Sequence, residues 1–548
     1  MNIVCVHLAL GRALSGLGHT VLDLRPPAGQ VRIAPLLGDF RPDLLIQQET
    51  LGPRTLIADL PALDCPKVFW SIDTHLNSFW HRYYARLFDL FCTTQKHWLP
   101  WCADAGLASS LWLPWHGVAR ERVPWERRLE GMAFVGRLTA ERPVRSWFVD
   151  CLRESGDVRV RQDLGFSDML AFYDQSRLVP NESIFGEVNF RLFEAASCGC
   201  AVLNPAIPGL EELFAPGEEV AVYRDGAELS AWVKRLQGDG LLARSMGLRA
   251  WERVRREHLP RHRAEMLLDA VQGLPQGAAS GPAGDVAWWL TLHQLRESGR
   301  LAMDGAAMTR GLADLPVTDE VLAVLLRLKA DEGRDEFLRL ALPVVQTKQY
   351  EASQDVNLAG SMGALRFGGC SLARLFFLRT VRHGAPAASD PGHTALSICL
   401  AWARELQRTG RISRPGFVFN PAKHLPASAL ECLVLASESV PDNAGVYREM
   451  ASLLARDSGW DGLRLKALSW LSLRDRGNWR LGLELGVADC RAFRVRQGLE
   501  EIMTARHEAA RQGQEERFLR ALAARDESGR IGAMLGSGPV PATNSADE

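Results

Sequence analysis

The stretch from Asn181 to Pro208, NESIFGEVNFRLFEAASCGCAVLNPAIP, admits few folds. Phe190, Leu192 and Phe193 are interleaved with Asn189, Arg191 and Glu194, and the small residues Ala195 to Gly199 follow. That reads as a helix ended by a glycine. Ala201-Val202-Leu203 then reads as a short buried strand, closed by a proline turn. Helix, glycine turn, strand and proline turn in that order belong to an α/β domain. Open α/β sheets bind ligands in the crevice at the carboxyl ends of their strands. Polar residues just before this helix, and on its exposed first turns, are therefore placed to meet a ligand.

The stretch resembles the donor-binding segment of GT-B glycosyltransferases, in particular the group related to the spore-maturation (CgeB-like) enzymes. The matching residues are Asn189, Arg191, Phe193-Glu194-Ala195, Gly199 and Ala201 to Leu203. The match continues through Leu210 to Phe214, Pro216-Gly217, Val220 to Tyr223 and Asp225 to Leu229. Upstream, Phe134-Val135-Gly136 matches a Phe-Val-Gly turn, with Arg142 or Arg145 nearest to the arginine that follows it. Tyr173, Ser176, Arg177 and Asn181 match in order. The resemblance covers about the first half of the chain.

It implies an α/β fold of two facing Rossmann-like domains followed by an all-α helical-repeat domain. Residues 1–125 would be the acceptor-side domain and 126–275 the nucleotide-sugar-binding domain. It implies a hexosyltransferase-like enzyme that moves a sugar from a nucleotide-sugar to an acceptor. As the glycosidic bond breaks, the departing nucleoside diphosphate gains negative charge. Helix dipoles, backbone N–H groups and arginines stabilise it with no metal and no other cofactor. In this reading Gly136 lets the chain approach the diphosphate, and Arg137 and Arg142 add charge. Asn181, Ser183 and Gly186 form the loop near the sugar and phosphates. Asn189 and Arg191 supply polar reach, and Glu194 accepts hydrogen bonds from ribose hydroxyls. Tyr173 and His116 complete the donor set. Many retaining relatives carry two glutamates separated by seven residues. With Glu194 as the second, the first falls at Gly186, and Glu187 is one place off. That leaves inversion open.

The earlier residues alternate in the same way. Ile3 to Leu8 and Thr20 to Leu24 read as strands around a helix from Arg12 to Gly18. Leu44 to Ile46 is a strand with Gln47, Gln48 and Glu49 at its carboxyl end. Lys67 to Ile72 is an apolar strand leading to Asp73 and His75. These two suit general-base work on an acceptor hydroxyl, because histidine titrates at about 6.5 and a carboxylate fixes its tautomer. The plainer reading makes Asp73 a helix cap and His75 polar surface. Aromatic residues from Phe79 to Phe88 recur at helical spacing and read as packing, with His81 and Arg82 as candidates to face a cleft. Only Gly11 and Gly16 stand near the first turn, with no GxGxxG, which argues against a dinucleotide enzyme.

Composition narrows the partners. Lys+Arg is 64 against Asp+Glu 65, a formal net charge of -1, so nothing favours nucleic acid as a partner. No run approaches the length of a transmembrane helix. The start, MNIVCVHLALG, reads as strand and turn rather than a secretory leader. The 11 cysteines are odd in number and scattered, with no CxxC pair. Reduced thiols in a cytoplasmic protein are the expectation, and no zinc site is read from them. Cys198 and Cys200 read as small core residues.

Gly273 to Gly284 is a linker by composition. Beyond it, over 285–530, helical patterns dominate. Asn357, Gly368, Ala373, Phe377 and Thr380 resemble one tetratricopeptide-like helix pair. A groove between stacked pairs suits a protein acceptor, such as a surface-structure protein, or a second copy in a homo-oligomer. Gly536 to Glu548 reads as disordered. Two other functions stay open: a scaffold with a degenerate transferase half, and a nucleotide-sugar epimerase. Nucleotide-sugar binding with turnover onto an acceptor separates the first reading from both.

Overall fold

The computed structural model describes residues 1–275, 277–384 and 390–536. The expected disorder of the tail falls, from residue 537 onward, outside them. By its internal contacts the chain forms two compact units. The first joins Met1–Pro114 to Arg261–Val446, and the second joins Trp115–Pro260 to the residues from Tyr447 onward.

In the first unit the apolar runs form β1 (Asn2–Val6), β2 (Thr20–Leu24), β3 (Gly29–Val31), β4 (Leu44–Gln48), β5 (Thr55–Ile57), β6 (Lys67–Ser71), β7 (Leu90–Thr93) and β8 (Ser110–Trp112). Six of them make a parallel sheet in the order β2-β1-β4-β6-β7-β8, and β3 and β5 pair separately. Val4 lies between Leu22 of β2 and Leu45 of β4. Strands buried on both faces carry continuous apolar runs, and Ile3 to Val6 are fully buried. The strand order reverses at β1, so the crevice opens at the carboxyl ends of β1 and β4.

A parallel sheet needs cover on both faces. Here the C-terminal half supplies part of it. The helix Gly281–Glu297 packs on the helix Thr74–Tyr84, and Val286, Ala287 and Leu290 join one core with Val4, Leu45 and Phe69. Met308, Leu312, Val321, Val324 and Phe417 extend it. Helices Gln354–Arg366 and Cys370–Gly384 pack against each other where the tetratricopeptide-like pair was expected. Gly360 meets the ring of Phe376 so closely that a methyl there would lie 2.6 Å from it.

The second unit holds β9 (Glu130–Val135), β10 (Val158–Arg161), β11 (Ser176–Pro180), β12 (Ala201–Pro205) and β13 (Ala221–Tyr223). They form a parallel sheet in the order β10-β9-β11-β12-β13, again doubly wound, with its switch point between β9 and β11. Its core unites Phe134, Phe148, Leu178, Leu203 and Tyr223 with Trp479, Leu483, Val487, Ile502 and Phe518. Phe493 stands edge-on to Phe148, with ring centroids 5.0 Å apart. The fold class is as expected, two Rossmann-like α/β domains and an all-helical C-terminal region. The helices expected to form one domain over 285–530 are shared between the two units. Among the described residues, no helix is long and apolar enough to cross a membrane.

Candidate functional site

Most of the expected donor-binding residues lie at the switch point of the second sheet. Arg191 stands at the second position of the helix Phe190–Ser197. Its guanidinium lies over the ring of Phe134, 4.8 Å from the centroid. Nε and Nη2 donate to the carbonyl of Val135 at the end of β9, at 3.2 and 2.9 Å. Nη1 donates to Oδ1 of Asn181, just past β11, at 2.6 Å. One side chain thus ties together the two strand ends between which the sheet reverses. Asn181 is fully buried and also donates through Nδ2 to Asn204 Oδ1 at 2.6 Å. Its carbonyl accepts from the hydroxyl of Tyr223. Gly136 follows β9 directly. A Cβ there would lie 3.0 Å from the Phe134 ring and 3.3 Å from Arg191 Nη2, so a side chain would have to push the ring and the guanidinium aside.

The loop between β11 and this helix is built from its own polar groups. Glu187 accepts from Ser183 Oγ at 2.7 Å, from Phe185 N at 2.8 Å and from Ile184 N at 3.3 Å. Its own N–H donates back to Ser183 Oγ at 2.7 Å. Gly186 takes φ 70°, the left-handed conformation that this closed loop requires. Asn189 is the N-cap of the helix, yet its side chain does not cap it and instead donates to the carbonyl of Glu182 at 3.0 Å. Glu182 is buried and paired with Arg145 at 2.9 Å.

Glu194 lies one turn into the helix and is 7% exposed. Burial pushes its carboxyl up to about 7, with Arg191 pulling the other way. Tyr173 is fully buried beneath. Burial raises its phenol, Arg191 opposes the rise and Glu194 adds to it. His116 stacks on Trp115 with ring planes 16° apart, and Trp115 meets Phe190 at the helix start, 5.0 Å between centroids. Arg137 points outward to an exposed ion pair with Asp163, and Arg142 is the residue before the helix Pro143–Ser155. The structure therefore gathers Gly136, Asn181, Asn189, Arg191 and Glu194, brings His116 to the same helix through Trp115, and turns Arg137 aside. Cys198 and Cys200 are buried core residues, as read.

Asp73 and His75 belong to the first unit, beside its own switch point. Asp73 is the N-cap residue of the helix Thr74–Tyr84, without a capping bond from its side chain. His75 is 4% exposed, which corrects its plainer reading as surface. The residue that fixes this corner is Glu49, at the end of β4. Oε2 accepts from Ser71 Oγ at 3.2 Å and from the N–H groups of Ile72 and Asp73 at 3.0 Å each. Oε1 accepts from Asn77 Nδ2 at 2.6 Å and meets His81 Nε2 at 3.2 Å. Burial alone would raise its pKa. His81, Arg54 and the N–H of Asp73 outweigh that and hold the carboxyl below the usual carboxylate range. His81 is fully buried against Glu49 and Ser71, in line with the packing read for its stretch and not with the cleft it was a candidate for. A carboxylate directly after a wholly buried strand was the available signal for Glu49.

Residues 124–269 match the family model described as "Glycosyl transferase-like". No curated protein sequence matches the chain. Among solved structures, sucrose-phosphate synthase from Thermosynechococcus elongatus is similar at 12% identity and TM-score 0.38, over 50% of this chain and 99% of that one. A glycosyltransferase from Rickettsia africae is similar at 13% identity and TM-score 0.39, over 50% and 98%. Anabaena HepE, solved with UDP and glucose, is similar at 12% identity and TM-score 0.35, over 50% and 100%. The segment with the glycosyltransferase-like match contains the whole second sheet and the Arg191–Asn181 bridge.

Proposed function

We propose that this protein is a glycosyltransferase that binds a nucleotide-sugar in its second unit and transfers a hexose to an acceptor, with a protein as the acceptor. The observation that carries the reading is Arg191 spanning the ends of β9 and β11 inside the glycosyltransferase-like segment. With three N–H groups bonded, its guanidinium is held rigidly in place beside the strand ends. A diphosphate seated between the Gly136 turn and the start of the Phe190–Ser197 helix meets backbone N–H groups, the helix dipole and this cation together. These groups stabilise the charge that develops on the leaving nucleoside diphosphate. Glu194, next on the helix, accepts from ribose hydroxyls once ionised. Glu187 spends its carboxylate on closing its loop, which supports inversion over a glutamate-assisted retaining route. Asp73, whose backbone N–H donates to Glu49, and His75 are the acceptor-side candidates. The helical region is the proposed contact for a protein acceptor.

The test is calorimetric titration of the full chain with UDP-, GDP-, ADP- and CMP-sugars. One class is expected to saturate, and Glu194→Ala is expected to weaken that donor by roughly tenfold or more while the chain still melts cooperatively. A folded protein that binds none of the four overturns the proposal.

A further inference from the structure

A cavity of about 600 Å³ opens within the first unit, lined by the helix Thr74–Tyr84, the segment Trp98–Ala105, the helix Asp319–Glu332 and the loop 409–414. That volume is in the range of small-ligand sites. Three of its four arginines are spent on the protein. Arg327 donates to Glu297 and to the carbonyls of Leu425 and Pro426. Arg411 donates to Asp355 and Ala427 O, and Arg414 grips both oxygens of Glu431. Arg82 differs. Its Nε is buried without an acceptor, and its nearest carboxylate oxygen, on Glu320, is 3.9 Å away. Glu320 is already held by Arg86, at 2.8 and 2.9 Å to its two oxygens. A guanidinium with uncommitted donors therefore faces a cavity that has the volume to receive a ligand.

The rest of the wall says what kind. Trp98 and Trp101 line the same space, edge to face, with centroids 5.6 Å apart. Gln294 and Asp319 add an amide and a carboxylate that can bond hydroxyl groups. The unbonded donors of Arg82 suit one carboxylate, and the acids that already share its charge, Glu320 and Asp355, disfavour a phosphate dianion. We infer that this cavity binds an acidic sugar. Its carboxylate sits on Arg82, a ring C–H face lies on Trp98 or Trp101, and its hydroxyls bond Asp319 and Gln294. The inference is independent of the donor site in the second unit.

The probes are glucuronate, galacturonate and N-acetylneuraminate, with glucose and inorganic phosphate as controls, titrated into the full chain and read by tryptophan fluorescence and calorimetry. At least one sugar acid should saturate, with glucose and phosphate each weaker by roughly tenfold or more. Arg82→Gln leaves Glu320 bonded to Arg86, so this variant should keep its melting temperature and lose roughly tenfold or more in affinity for the sugar acid. No binding of any of the three acids by folded protein overturns the inference. So does equal affinity in Arg82→Gln, or phosphate binding more tightly than every sugar acid.

Discussion

Glu194 and Glu49 are both buried carboxylates, and their environments send them in opposite directions. Glu194 has only Arg191 to set against its burial and titrates at about 7. In the unfolded chain it ionises near 4.5, so between those values the folded form holds the extra proton. Its contribution to stability therefore falls as pH rises from 4.5 through about 7. Melting temperatures of the wild type and Glu194→Gln, compared across that window, should diverge, with the variant losing less as pH rises. Parallel curves would show that Glu194 does not titrate there. Glu49 has the reverse sign. Its depressed pKa contributes stability above 4.5 that is lost as pH falls below that value. Glu49→Gln strips charge from a group that holds two backbone N–H groups, Asn77 and His81, and denaturant melts should show a loss of about 3 kcal/mol. Only part of this was legible in the sequence. The order Asn189, Arg191, Glu194 marked the candidate site, but nothing local announces that Arg191 bonds Val135 or that Glu49 bonds His81, because those partners are far away in the chain. His81 is an example: helical spacing gave its helix and its packing, but not that its partner is Glu49.

At the scale of elements, short apolar runs were good predictors of strands, since a parallel sheet buries both faces. Leu44 to Ile46, Lys67 to Ile72 and Ala201 to Leu203 all became strands within a residue or two of their expected limits. The small β3–β5 pair was not legible, because three-residue strands leave no periodicity to read. The loop Ser183–Glu187 adds something the sequence also hid, a contact with the C-terminal helices of its own unit. Phe185 lies edge-on to Trp460, with centroids 6.0 Å apart, and packs on Gly459 so tightly that a Cβ there would lie 1.8 Å from its ring. Gly459→Ala must displace Phe185 and with it the loop. It should cost about 1–3 kcal/mol in a denaturant melt and weaken donor binding by calorimetry. A variant with wild-type donor affinity would separate this contact from the donor site.

At the scale of the whole molecule, the C-terminal helices are structural parts of both α/β domains. Trp479, Leu483, Val487, Ile502 and Phe518 share the core of Phe134 and Leu203. A chain truncated after Val446 should therefore lose the cooperative melting of its second unit and expose that core to a hydrophobic dye. A truncated chain that still bound donor would show that the sheet suffices alone. Composition had pointed to a linker at Gly273–Gly284 and a separable helical domain, because a linker-like sequence says nothing about where the following helices dock. The interleaving also bears on biosynthesis. The ribosome delivers Met1–Pro114 long before the Gly281–Glu297 helix that covers it, and β13 long before Trp479. Neither unit can finish folding behind the one before it, as domains strung end to end do. Both nascent sheets wait half-covered for later residues, so the growing chain is an obvious client for chaperones that shield apolar surface during translation.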